Sequence, residues 1–331
     1  MSVSDGGEGF LDSIENSIST KRIYNSALNS IFEHIKTIFL LQNKSAFIEF
    51  AKTGGLNLIK KKNRNPMFTT SYGLGQQILE AKNRNAEKII IGLGGSATND
   101  GGIGMAHALG FRFYNKNKVE LKPIGANLIN IYKITFPENI EKLRSIKFYA
   151  ATDVENELFG KNGASYVYAS QKGALEKEIK ILDKGLKKLS TILSKHEQKP
   201  YTKAKGDGAA GGLGYGIRAF LNGEIISGSD FIVDLLDIKK RIKNSDIVIS
   251  GEGKVDKQSF EGKIVGKIAN LTKKYNKHLI IFCGVNQFKS KLNNTEIYSL
   301  FNSTPKIDIA KKLTPIKIEE IIKEIFSSKT K

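Results

Sequence analysis

With 331 residues the chain is longer than the roughly 50–200 residues of a typical domain, so two domains are expected. Lysine and arginine outnumber aspartate and glutamate by 52 to 33, a net charge of +19, but acids interleave with the cations, as in Lys177–Lys188. The densest cluster, Lys60–Arg64, has no alternating aromatics, so no nucleic-acid partner is expected. No apolar run approaches the roughly 18–20 residues of a membrane span. Met1–Asp5 has no basic or apolar leader. Cys283 is the single cysteine and lies in the apolar run Leu279–Cys283, which suits a buried core thiol. The expectation is a cytoplasmic chain without membrane association or internal disulfide.

In chain order, the runs Ala46–Phe50, Lys88–Gly92, Ile146–Ala150, Asp246–Ser250 and His278–Cys283 are apolar almost throughout. That pattern suits parallel strands covered on both faces. Helical periodicity falls between them, at Tyr72–Lys82, Gly104–Leu109, Glu176–Lys195 and Gly262–Tyr275. Alternating strands and helices predict an α/β fold with a largely parallel sheet. The stretch from about Phe111 to Asp234 is richer in loops and reads as a second domain inserted into the first. The expected division is 1–110 with 235–331, and 111–234 between them.

Four segments carry candidate chemistry. Gly92–Gly102 (Gly-Leu-Gly-Gly-Ser-Ala-Thr-Asn-Asp-Gly-Gly) follows a strand and precedes a short helix. Glycines there let the backbone approach a ligand, and free N–H groups favour an anion. Gly92, Gly94 and Ala97 also satisfy G-x-G-x-x-A, the dinucleotide fingerprint. The acidic residue required about 20 positions on is absent, because the next strand-like run ends Phe-Arg-Phe-Tyr at Tyr114. Gly206–Gly216 is a second glycine-rich segment with no strand ahead of it; it reads either as an anion loop around Gly211 and Gly212 or as close backbone packing. Ser250–Lys263 leaves the strand ending near Ile249 and holds Gly251, Glu252, Gly253, Lys254 and Asp256. Its two carboxylates could hold Mg²⁺ and its lysines could neutralise phosphate. Asp153 follows the strand Ile146–Ala150, where a base for a substrate hydroxyl or a turn cap would sit. Asp5 and Glu8 form a small acidic loop. No P-loop, zinc motif or G-x-S-x-G elbow occurs, and the four histidines share no metal spacing.

Six blocks in order, Ser4–Gly9, Arg64–Gly75, Gly92–Gly102, Asp153–Gly173, Gly208–Gly216 and Gly251–Lys263, resemble glycerate kinases of the bacterial type. The resemblance implies a Rossmann-like domain made of both chain ends and an inserted α/β domain, with the active site in the cleft between them. It implies phosphoryl transfer from ATP, with Mg²⁺, to a hydroxyl of D-glycerate, and a homodimer is allowed. Within that frame, residue type and strand-end position assign anion binding to Gly94, Gly95, Ser96 and Asn99. Gly211, Gly212, Gly251, Gly253 and Lys254 would contact the nucleotide. Asp153, Asp100 and Lys263 are the candidate catalytic residues, and Glu252 and Asp256 the candidate metal ligands. Departures are Asp207 where a small residue is expected, Glu157 for a proline, and no proline after Lys263. The family's usual first strand, with its Pro-Asp-Ser-Phe-Lys turn, has no counterpart before Asp5. A weakened sheet edge and reduced activity are therefore expected. The rival readings are a non-catalytic or decayed homologue, and a nicotinamide-dependent dehydrogenase.

Overall fold

The computed structural model describes residues 4, 6–196, 198, 200–260 and 264–327. Eleven strands occur among them. They are β1 (Lys21–Leu28), β2 (His34–Gln42), β3 (Ser45–Glu49), β4 (Lys88–Gly92), β5 (Arg112–Tyr114), β6 (Lys133–Thr135), β7 (Lys147–Ala151), β8 (Glu224–Ile226), β9 (Ile247–Val255), β10 (His278–Asn286) and β11 (Thr295–Ser299). Two compact units result, Met1–Ile232 and Val233–Lys331.

The first unit is built on a six-stranded sheet in the order β1-β2-β3-β4-β7-β8. Strands β3, β4, β7 and β8 are parallel; β1 and β2 join as an antiparallel edge. Ile89, Ile90 and Ile91 of β4 are all buried, which needs cover on both faces of the sheet. The helix Glu176–His196 buries Leu182, Leu186, Leu189 and Leu193, which recur every three to four residues, and packs chiefly on the helical turn Gly125–Asn130. The helix Tyr72–Asn83 buries Leu74, Ile78 and Ala81 in the same way. Strands β5 and β6 form a small antiparallel pair. The second unit is a parallel three-stranded sheet, β11-β10-β9, with Ile280, Phe282 and Leu300 in its core and the helix Ile307–Ser327. Burial pushes the Cys283 thiol up, in keeping with a core residue.

The α/β class holds, but the expected division of the chain does not. Strand β4 pairs in parallel with β7, Ile91 opposite Ala150, so residues on both sides of position 110 share one sheet. The division falls between residues 232 and 233, and β9, β10 and β11 form a sheet of their own. A loop-rich composition suggested a boundary near 110, whereas strand hydrogen bonding decides it. Strands β1, β2, β6, β8 and β11 and the last helix are not among the elements expected from the sequence. No helix among the described residues is long and apolar enough to cross a membrane.

Candidate active site

In parallel sheets ligands gather at the carboxyl ends of the strands, and in the first unit three loops meet there. The turn after β4 is the first. The Gly94 N–H donates to the Gly6 carbonyl at 3.1 Å, and the Leu93 N–H donates to the Ala151 carbonyl at 3.1 Å. The loop around Gly6–Gly9 thereby lies across the ends of β4 and β7. A Cβ on Gly94 would stand 2.2 Å from the Gly7 Cα, so only glycine fits where these two backbones meet. Within the acidic loop, Glu8 Oε1 accepts from Asn57 Nδ2 at 2.7 Å. Behind it, buried Glu49 at the end of β3 accepts the Leu11 N–H at 3.1 Å and anchors the helix Phe10–Glu15; burial pushes its carboxyl up. A cavity of about 730 Å³ opens beside Glu8, lined also by Asp12, Lys36, Glu49 and Lys52, within the size range of small-molecule sites.

Asp153, two residues past β7, is half-buried. Its Oδ1 accepts from Ser227 Oγ at 2.8 Å and both its oxygens lie 3.2 Å from the Ser229 N–H. The donors fix the carboxylate while part of it faces outward. Past the end of the neighbouring strand β4, Gly95 is exposed with Glu8 packed against it, Ser96 is buried, and no acceptor among the described residues takes the N–H of either. Two adjacent N–H groups without an acceptor are a feature that suits an anion.

Deeper in the turn, the expected roles change. Asp100 is fully buried and its oxygens are taken by four donors: Ser71 N–H at 2.7 Å, Ser71 Oγ at 2.8 Å, Gly104 N–H at 3.1 Å and Gly102 N–H at 3.2 Å. It holds the start of the helix Ile103–Ala108 and has no face for substrate, so the catalytic role expected for it is corrected to a structural one. Burial pushes its carboxyl up. Asn99 is also buried; Nδ2 donates to Ser165 Oγ at 3.1 Å, and Oδ1 finds no partner among the described residues. It props the turn from behind. Lys172, to which the sequence assigned no role, is 3% exposed and reaches the same turn. Its Nζ donates to Ser96 Oγ at 2.8 Å and to the Thr98 carbonyl at 2.7 Å. A lysine before a glycine ordinarily reads as a surface residue, so only the fold reveals it.

Burial pulls the Lys172 ammonium down to about 7, and the Asp100 carboxylate opposes that pull. Since folding lowers this pKa from its ordinary 10.5, the unfolded chain holds the proton more tightly. The Lys172 contribution to stability therefore rises with pH between about 7 and 10.5. Melting curves across that window should show the rise in wild type relative to Lys172→Met; parallel curves for the two proteins would contradict it.

The second glycine-rich segment resolves as packing. Gly211 and Gly212 are buried, and the Gly101 N–H donates to the Gly211 carbonyl at 3.0 Å. They back the first turn rather than face a nucleotide, which corrects their expected binding role. Asp207 has its own compensation here. Buried, it accepts from Arg218 Nη1 at 2.5 Å, Tyr201 OH at 2.9 Å and the Ala204 N–H at 3.0 Å. The dinucleotide reading also fails on topology: Arg112–Tyr114 forms the antiparallel β5–β6 pair, not the second parallel strand of a βαβ unit.

In the second unit, the segment expected to be a turn after Ile249 is strand. Strand β9 runs on through Gly251, Glu252, Gly253 and Lys254, paired with β10 as far as Val255 opposite Asn286. Glu252 and Asp256 are four residues apart on this extended chain, about 13 Å at ~3.3 Å per residue, too far to share one Mg²⁺. Lys254 Nζ instead lies 3.1 Å from Asp256 Oδ2. Among the described residues no group of three or more His, Cys, Asp or Glu could hold a metal. Lys263, with Gly262 and Asp5, lies outside the described residues.

A parallel sheet with a glycine-rich turn and a half-buried carboxylate just past its strand ends has the layout of an α/β enzyme site. The chain belongs to the glycerate kinase family, whose model matches residues 1–328, and it is a kinase. It is 37% identical over 329 residues to a glycerate kinase of Bacillus cereus, covering 98% of this chain and 86% of that protein. It is 37% identical over 284 residues to the glycerate 2-kinase of Escherichia coli, covering 85% and 74% of the two. In three dimensions it superposes on a crystal structure assigned as glycerate kinase 2 of Salmonella typhimurium LT2. The TM-score is 0.84 at 30% identity, with 99% of this chain and 87% of that one covered.

Proposed function

We propose that the chain transfers the terminal phosphoryl group of ATP to a hydroxyl of D-glycerate at the loop cluster of the first unit. The observation that carries this reading is Asp153, a half-buried carboxylate oriented by Ser227 and Ser229 past the end of β7, with the Gly95 and Ser96 N–H groups past the end of the neighbouring strand β4. The two N–H groups and the Ser96 hydroxyl bind the substrate carboxylate. Asp153 accepts the hydroxyl proton as the new oxygen–phosphorus bond forms and the bond to the β-phosphate oxygen breaks, releasing ADP. Phosphoryl transfer depends mainly on positioning and charge neutralisation, which a fixed turn and a fixed base supply. Magnesium bound to ATP would add neutralising charge; Glu252 and Asp256 do not jointly fit it, and no step here runs through it.

ADP release coupled to a detection enzyme tests the reading. D-glycerate should raise the rate to roughly 1–100 s⁻¹, the ordinary range for kinases. ADP release that glycerate does not raise would overturn it, and no ADP release at all would favour a non-catalytic homologue.

A further inference from the structure

Lys172 has a geometry that the reaction above does not use. It closes the short helical turn Ser170–Lys172, and the next residue, Gly173, takes φ +98° as the chain turns back. That reversal presses Gly173 against the Arg64 main chain and drives the Lys172 side chain inward. Its two acceptors, Ser96 Oγ and the Thr98 carbonyl, flank Ala97, whose own carbonyl accepts from Thr69 Oγ1 at 3.0 Å. The curve of the turn is thus set from beneath by one ammonium. The contact also has a direction. Ammonium has no lone pair, so Ser96 Oγ must be the acceptor, and its own O–H is left to donate elsewhere. No described residue accepts it.

We infer that Lys172 is a positioning residue: its ammonium occupies the inner side of Ser96 Oγ, so that the Ser96 hydroxyl points its proton outward to the carboxylate of the substrate. This rests on the reading that the turn binds the glycerate carboxylate. Once deprotonated, the amine has a lone pair and can accept the Ser96 proton, turning the hydroxyl inward and removing one donor from the substrate. With the ammonium pulled down to about 7, that change falls near neutrality. Asp100 is the charged group that acts on Lys172, and it favours the protonated form. Arg64 packs its main chain and Cβ on Gly173, next to Lys172, and donates through Nε to the Ile59 carbonyl at 3.1 Å.

The test is the KM for D-glycerate measured from pH 6 to 8.5 in wild type, Lys172→Met, Ser96→Ala and the double variant. Wild type should show KM rising about tenfold with pH, the size of one hydrogen bond to a charged group, with kcat changing much less. Each single variant should start about tenfold higher at pH 6 and stay flat, and the double variant should be no worse than either. A merely structural lysine would alter stability and leave the pH profile of KM in place. A KM profile in Lys172→Met that still rises with pH overturns the inference. If Lys172→Met fails to fold, Ser96→Ala decides alone, since it keeps the Thr98 contact; a pH-dependent KM in that variant overturns it equally. The two readings fail separately: a wild type inert toward glycerate refutes the proposed reaction, and an active wild type with unchanged variants refutes only the role of Lys172.

Discussion

Replacing Asp153 by asparagine should lower kcat at least about 100-fold, the lower range for losing a general base. The melting temperature should stay within a few degrees. Asparagine keeps an oxygen that can accept from Ser227 Oγ and the Ser229 N–H, so the local hydrogen bonds survive. Only the basicity goes. Because Asp153 is half-buried at the edge of the sheet and not in its core, little packing is disturbed. KM for D-glycerate should move much less than kcat, since the anion-binding turn is untouched. A variant with kcat within threefold of wild type would remove Asp153 from the chemistry.

Gly211→Ala should cost about 3 kcal/mol of stability. Gly211 has φ +70°, and a Cβ there would stand 2.1 Å from the Thr98 carbonyl oxygen and 2.6 Å from the Asn99 Cα. Both obstacles are backbone and cannot rotate away. A left-handed alanine costs about 1–2 kcal/mol, and overpacking typically about 1–3 kcal/mol. A domain is stable by only about 5–15 kcal/mol, so the urea midpoint should fall clearly. The surviving folded protein should also bind glycerate poorly, because the strain lands on the carbonyl that accepts from Lys172. An unchanged midpoint with normal KM would mean that the second glycine-rich segment does not support the first turn.

These two residues mark what the sequence reveals. Strands covered on both faces were legible from local composition: Ile89-Ile90-Ile91 can be little else than a buried strand. Strand β1 was not, because Lys-Arg-Ile-Tyr-Asn-Ser-Ala-Leu turns only Ile23 and Ala27 fully inward and depends on pairing with β2. The glycine-rich turns stood out for their composition, yet composition cannot separate a glycine that admits a ligand from one that admits another backbone. Gly94 and Gly211 both turned out to face neighbouring chain. Asp100 and Asp153 were both candidates as sequence, one inside a glycine-rich turn and the other just past a strand. Four donors, three of them backbone N–H groups, saturate the first, while Ser227 and Ser229 leave the second open, and those partners come from distant segments. Lys172 gave no local signal, since burying a lysine requires acceptors that only the tertiary fold assembles. The β9 segment misled in the other direction: glycines at 251 and 253 looked like a turn, but pairing with β10 keeps the chain extended.

The central claim, phosphoryl transfer to a glycerate hydroxyl, is tested most directly by ³¹P NMR of the protein incubated with ATP, Mg²⁺ and D-glycerate. The account predicts loss of the ATP γ-phosphate signal with matching growth of one phosphoglycerate monoester resonance and of ADP, the position of which on glycerate the same spectrum assigns. It also predicts that the monoester is nearly absent with Asp153→Asn. ATP consumed to inorganic phosphate alone, or left unchanged beside D-glycerate, would contradict it.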